Sequence, residues 1–159
     1  MSSDEITERF TAFFFPAFEE TFEKVNGIFL DRGTSLTETL APLTAAQASE
    51  ANGPGQATIA AQVEHVCFYI EVLERVMDGQ APGPIDWKEI WQRRAGVTPA
   101  EWDELRTRLR DGYQRVARRA RGFDWRGEND IAGVLAVLVH TAYHLGGLRM
   151  TIGAVTRRA

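Results

Sequence analysis

The sequence predicts an all-α protein, a bundle of helices folded as a single domain over residues 1–159, and three observations carry that expectation. Apolar residues recur at three- and four-residue steps along most of the chain, strand-period alternation is absent, and the Pro and Gly clusters separate helical segments rather than two domains. With 44% hydrophobic and 25% charged residues, the chain is long enough to bury a core without disulfides. Its single cysteine, Cys67, excludes an intramolecular disulfide, a CxxC redox pair and a four-cysteine zinc knuckle.

The elements follow in order. Residues 3–14 read as a short opening helix ending near Pro16. Phe18, Phe22, Val25, Phe29, Leu36 and Leu40 then trace a first long helix, which Gly33 interrupts without ending. Asn52-Gly53-Pro54-Gly55 is the strongest loop signal, and Thr58 behind it is the N-cap of a second long helix running to about Met77. Asp86-Trp87-Lys88-Glu89 reads as a capping box opening a short connecting helix, whose Trp87 and Trp91 close the end of the bundle or, on the alternative reading, cover the pocket or a subunit contact. Thr98-Pro99-Ala100-Glu101 combines a cap, a proline at the first helical position and a reciprocal glutamate; Trp102, Leu105, Leu109, Tyr113, Val116 and Ala120 continue as the stripe of a third long helix. After a loop from Gly122 to Asp130, the segment from Ile131 to about Ala154 is apolar nearly all round, as the most buried helix of a bundle should be.

Charge and hydropathy narrow the partners. The formal net charge of -4 leaves no global basic field for a polyanion, so no nucleic-acid partner is expected. Arg106, Arg108, Arg110, Arg115, Arg118, Arg119 and Arg121 are spread round one helix among acidic neighbours, without an aromatic ladder for bases, and read as solvated surface. The longest apolar run, Ile131 to Val139, is too short to span a bilayer, and no signal-peptide pattern opens the chain. The expectation is a cytoplasmic protein without a membrane partner.

Chemistry concentrates in the three histidines. His140 and His144 are four residues apart on the most apolar helix, so both imidazoles leave the same face. Three histidines placed at random would give such a gap in about 4% of chains, and it is the gap that helix geometry turns into chelation. On the second long helix, His65 shares a face with Thr58, Ala61, Tyr69, Val72 and Val76, which points it to the interior. Buried imidazoles without partners leave nitrogens unsatisfied at about 1–3 kcal/mol each. A divalent cation would satisfy one nitrogen of every ring, and neutral ligands would leave its charge open to an anionic fourth ligand such as hydroxide, carboxylate or thiolate. The alternative, three core histidines each satisfied by a carbonyl or a buried carboxylate, stays open at this point.

Position rejects two neighbouring chemistries. The HExxH zinc peptidases place their general-base glutamate where this chain has Thr141, and di-iron bundles need a Glu three residues before each histidine, where Gln62, Val137 and Thr141 stand. Cys67 lies on the far side of its helix from His65 and reads as a packed small hydrophobe. Glu64 and Glu71 point away from the histidine face. Gly133, Ala136, Gly147 and Thr151 clear the His140/His144 face of bulk, for a ligand pocket with Gly147 at its edge or for close helix packing. Tyr69, one turn beyond His65, is the best-placed phenol to face a bound ligand, with packing as its other reading.

A histidine on the second helix and an HxxxH pair on the last, in a chain of this length, resemble the DinB/YfiT-like superfamily. Thr58-Ile59-Ala60-Ala61-Gln62-Val63-Glu64-His65 follows a Gly/Pro loop, and His140-Thr141-Ala142-Tyr143-His144-Leu145-Gly146-Gly147-Leu148-Arg149 is similar to the HxxxHxGQ/IR stretch of that family. The resemblance implies a four-helix bundle in up-down-down-up order, usually a homodimer. It implies one divalent ion on His65, His140 and His144, nickel or zinc first, with iron, manganese or copper as further candidates. Relatives include transferases and isomerases that use low-molecular-weight thiols, and some resemble metal-dependent hydrolases. The implied function is a metal-dependent enzyme activating a low-molecular-weight thiol or water for transfer to, or hydrolysis of, a small electrophile; the alternative is a non-catalytic metal or small-ligand sensor. Gly147 departs from the family, where Gln is frequent, and the opening helix before Pro16 looks like an extension.

Overall fold

The computed structural model describes residues 2–158, with backbone alone for 128–130. Among these residues every regular element is helical: α1 (Ser3–Phe22), α2 (Leu36–Leu40), α3 (Ala45–Ala48), α4 (Ile59–Met77), α5 (Trp87–Gln92), α6 (Pro99–Arg121) and α7 (Glu128–Thr156). The only strand-like contact among them is an isolated bridge between Ala51 and Thr58. The fold is all-α, as expected.

The N-terminal third differs from the sequence reading. Pro16 lies inside α1, which continues to Phe22. A mid-helix proline removes one backbone hydrogen bond and crowds the preceding turn. Here the surrounding packing outweighs that cost: Phe14, Phe18 and Phe22 are almost fully buried, stack along one side of the helix and meet Trp125 and Tyr113. The long helix expected through Leu40 is absent, because the chain turns back after Phe22. Glu20, fully buried, accepts hydrogen bonds from the backbone N–H groups of Asn26, Ile28, Phe29 and Leu30 at 2.6–2.8 Å. Gly27 and Gly33 supply the left-handed backbone of this reversal, at φ 85° and 78°. Phe29, expected in the apolar stripe, is therefore half-exposed, while Leu36 and Leu40 reach the core from the separate helix α2.

Capping explains the other boundaries. Thr58 caps α4 by accepting from Ala61 N, and Thr98 with Glu101 forms the reciprocal box at the start of α6, with Pro99 in its first turn. At α5 the Asp86 side chain accepts from Lys88 N and Glu89 N, but the expected box is incomplete, because Glu89 turns to Arg93 instead. α7 begins three residues before Ile131 and extends to Thr156. From Ile131 to Thr156 it is also long and apolar enough by composition to cross a membrane, with a mean hydropathy of 1.6, although a shorter run was read in the sequence. A third of that window is buried.

α4 is the centre of the assembly, packed most extensively on α7 and α6 and touched by α5 and α3. Its residues Ile59 to Cys67 are buried without interruption. Cross-helix contacts run in reverse order: Gln62 meets Thr151, His65 meets His140 and His144, and Tyr69 meets His140, so α4 and α7 are antiparallel. On the α6 side, Arg108 joins Glu64 and Glu71, Arg115 joins Glu74, and Arg119 joins Asp78. Part of the arginine group thus ties α6 to α4.

Candidate metal centre

The antiparallel register of α4 and α7 brings all three histidines to one place. His65 is buried and His140 and His144 are half-buried. One ligand-type nitrogen from each lies within 4.8 Å of the others. His65 Nε2 and His140 Nε2 are 3.1 Å apart, close to the separation of about 3.3 Å that two imidazole nitrogens take on a tetrahedral ion with bonds near 2.0–2.1 Å.

The electrostatics suit neutral ligands. Burial pulls His65 down to about 4, aided by the nearby His144. Burial, then His144 and His65, pull His140 down to about 3, and burial also lowers His144. Without an ion the 3.1 Å contact is a hydrogen bond between two neutral rings. The donor ring then has a bare Nδ1 and the acceptor ring a protonated one, and both Nδ1 atoms are buried without a partner. Neither a carbonyl nor a carboxylate of the described residues reaches them. The donor set, its spacing and its neutrality fit a divalent cation.

Aromatic rings hold the imidazoles in place. Tyr69 stacks on His140 with centroids 3.5 Å apart and planes 11° from parallel. Trp91 stacks on His65 at 4.1 Å and 13° and also borders His144, while Trp87 meets His65 and Phe68 edge-on. Helix α5 thus covers the histidine cluster, the second of the two readings for its tryptophans, and does not merely close the end of the bundle. The signal in the sequence was their four-residue spacing on a short capped helix, but nothing local said which helix they would meet. The Tyr69 ring is placed against His140 itself.

The neighbouring reactive groups face elsewhere. Glu64 accepts two hydrogen bonds from Arg108 Nη1, and Glu71 accepts two more from Nε and Nη2. Cys67 is buried with its thiol toward the Leu105 carbonyl, and burial pushes that thiol far up, out of its reactive range. The cluster itself contains no carboxylate or thiol. A surface cleft of about 300 Å³ lies between α2 and α6, lined by Leu40, Asp103, Arg106 and Arg110, well apart from this chemistry.

The small residues divide into two kinds. Gly133 is a packing glycine: a Cβ there would lie 2.7 Å from Met77 Cγ. Gly147 is exposed, and a Cβ there would meet only Gln62 Oε1, at 3.6 Å.

The sequence model of the DinB superfamily matches residues 30–147, more than half of the chain. The chain belongs to the DinB superfamily. The match to DinB includes all three histidines, Tyr69 and Gly147, and leaves α1 outside. No curated protein and no solved structure gives a match.

Proposed function

We propose that this DinB protein holds one divalent ion on His65, His140 and His144, nickel or zinc before iron, manganese or copper. We propose that it uses the ion to activate a low-molecular-weight thiol or water toward a small electrophile. The convergence of three neutral imidazoles across α4 and α7 is the observation that supports this reading. When bound, such an ion supplies a Lewis acid that lowers the pKa of a coordinated thiol or water. The chain's own part is positional. Tyr69 and Trp91 clamp two imidazoles by stacking, and the tryptophans of α5 restrict water on that side. With Glu64 and Glu71 held by Arg108, no carboxylate base among the described residues joins the cluster, which also favours the second reading, a non-catalytic metal or small-ligand protein.

The reading extends to the assembly. We infer a single cytoplasmic domain over residues 1–159, with the four long helices α1, α4, α6 and α7 in up-down-down-up order and no nucleic-acid or membrane partner. We infer a homodimer as well, for which α7 offers a face: Val139, Tyr143 and Met150, at helical spacing, are 64%, 77% and 73% exposed.

Elemental analysis of the untagged protein beside a variant with His140→Ala and His144→Ala tests the centre. Near-stoichiometric metal lost in the variant supports it. No metal in either after reconstitution with divalent ions overturns it. Metal-loaded protein without turnover on thiol-plus-electrophile and on ester and amide panels turns the choice to the non-catalytic reading.

A further inference from the structure

The hydrogen bonds around Gln62 have a fixed direction that leaves one atom available. Gln62, only 9% exposed, lies one turn before His65 on α4, beside the histidine cluster. Its Nε2 donates to the Ala57 carbonyl at 3.4 Å and to Thr151 Oγ1 at 3.2 Å. The Ala57 carbonyl accepts only, so the nitrogen must face it and the amide cannot be turned round. The Thr151 hydroxyl donates to the Gly147 carbonyl at 3.0 Å, so toward Gln62 it accepts. Both amide hydrogens are thereby used. Oε1 accepts no hydrogen bond from the described residues and faces the gap over Gly147, one turn after His144 on α7.

We infer that Gln62 is a specificity-determining residue, whose Oε1 accepts a hydrogen bond from an N–H or O–H group of the molecule bound at the histidine cluster, with Gly147 keeping that oxygen accessible. The inference rests on the proposed metal centre and names the ligand class it takes. The surroundings agree on polarity. Gln62, Tyr69, Trp87, Trp91 and Gly147 bring no charged side chain to the site, and the ion's own charge disfavours a cation, so a neutral N–H or O–H donor is favoured at this point, where a carboxylate meets an acceptor oxygen. The amide is held by its two donated bonds with its acceptor oxygen left accessible, so a ligand that donates to that oxygen is favoured over one that covers it with an apolar group.

Two thiols of equal size, 2-mercaptoethanol and 1-propanethiol, differ at one end by a hydroxyl against a methyl group and serve as probes. Each is titrated into the cobalt(II)-loaded protein, following the thiolate-to-cobalt absorption band. Relative to wild type, Gln62→Leu should shift the affinity ratio about fivefold toward 1-propanethiol, the loss of one neutral hydrogen bond. Gly147→Ala, which leaves the amide and its partners in place but sets a methyl group 3.6 Å from Oε1, should shift it the same way. This second variant separates the effect from any disturbance of folding in the first. Cobalt uptake with an unchanged ratio in both variants, or with no thiol response in wild type, overturns the inference and leaves the metal centre standing. Failure of cobalt to bind overturns the metal centre itself, and the inference with it.

Discussion

Replacing Glu20 by Gln should cost this protein more than most single substitutions, because one carboxylate closes the reversal between α1 and α2. Oε2 accepts from Asn26 N and Ile28 N at 2.8 Å, and Oε1 accepts from Phe29 N and Leu30 N at 2.7 and 2.6 Å. Glutamine has the same shape, but whichever way its amide turns, its NH₂ faces two of these four donors. Two charge-assisted hydrogen bonds are lost and two become weaker neutral ones. At about 1.5–3 kcal/mol for each charge-assisted bond, the expected destabilisation is about 4 kcal/mol. For a domain of this size that lowers Tm by about 8–16 °C, readable by circular dichroism or calorimetry. The pH dependence supplies a second check. Burial alone would raise the Glu20 carboxyl, and the four N–H donors outweigh it, leaving it at about 2. The unfolded value is near 4.3, so the stabilisation is fully present above about pH 5 and is lost as pH falls through about 2. The stability gap between wild type and Glu20→Gln should therefore be constant from pH 7 to about 5 and close on acidification below that. A Tm within about 3 °C of wild type at pH 7, or a gap that widens in acid, refutes the reasoning.

Other perturbations reach the site and its supports. Arg108→Met takes from Glu64, whose side chain is 4% exposed, the guanidinium nitrogen that meets both its oxygens, leaving Arg94 at 3.8 Å, and should cost about 2–4 kcal/mol in urea denaturation, with at least half recovered by adding Glu64→Leu. No recovery in the double variant would mean that the arginine acts through packing alone. One equivalent of nickel should quench the tryptophan emission of the wild type, and Trp91→Phe should remove more than half of that quenching while nickel still loads, since Trp91 lies 4.1 Å from the His65 ring. Equal quenching in both would place the ion away from the histidines. Light scattering should give a dimer for wild type and a monomer for Val139→Glu with Met150→Glu; a monomeric wild type removes the proposed role of the α7 face.

The candidate histidines and the later helices were legible in the sequence because their information is local. The cap at Thr58, the Thr98-Pro99-Ala100-Glu101 start and the four-residue spacing of His140 and His144 each depend on backbone geometry within one or two turns. The facing side of α4 was legible too, since small and apolar residues share the His65 face. What failed in the sequence reading depended on distant partners. Pro16 is an interruption by every local rule, yet Phe14, Phe18 and Phe22 bury enough surface against Trp125 and Tyr113 to carry the helix through it. The apolar spacing from Phe18 to Leu40 looked continuous because period alone does not register a carboxylate gathering four N–H groups. The sequence by itself determined which residues could bind an ion and which helices carry them. Only the tertiary structure decided that α5 lays Trp91 on His65, that Gly133 packs while Gly147 opens, and that Gln62 keeps a free oxygen beside the cluster. Those facts belong to helix pairing, and spacing along one chain cannot state how two separate surfaces meet.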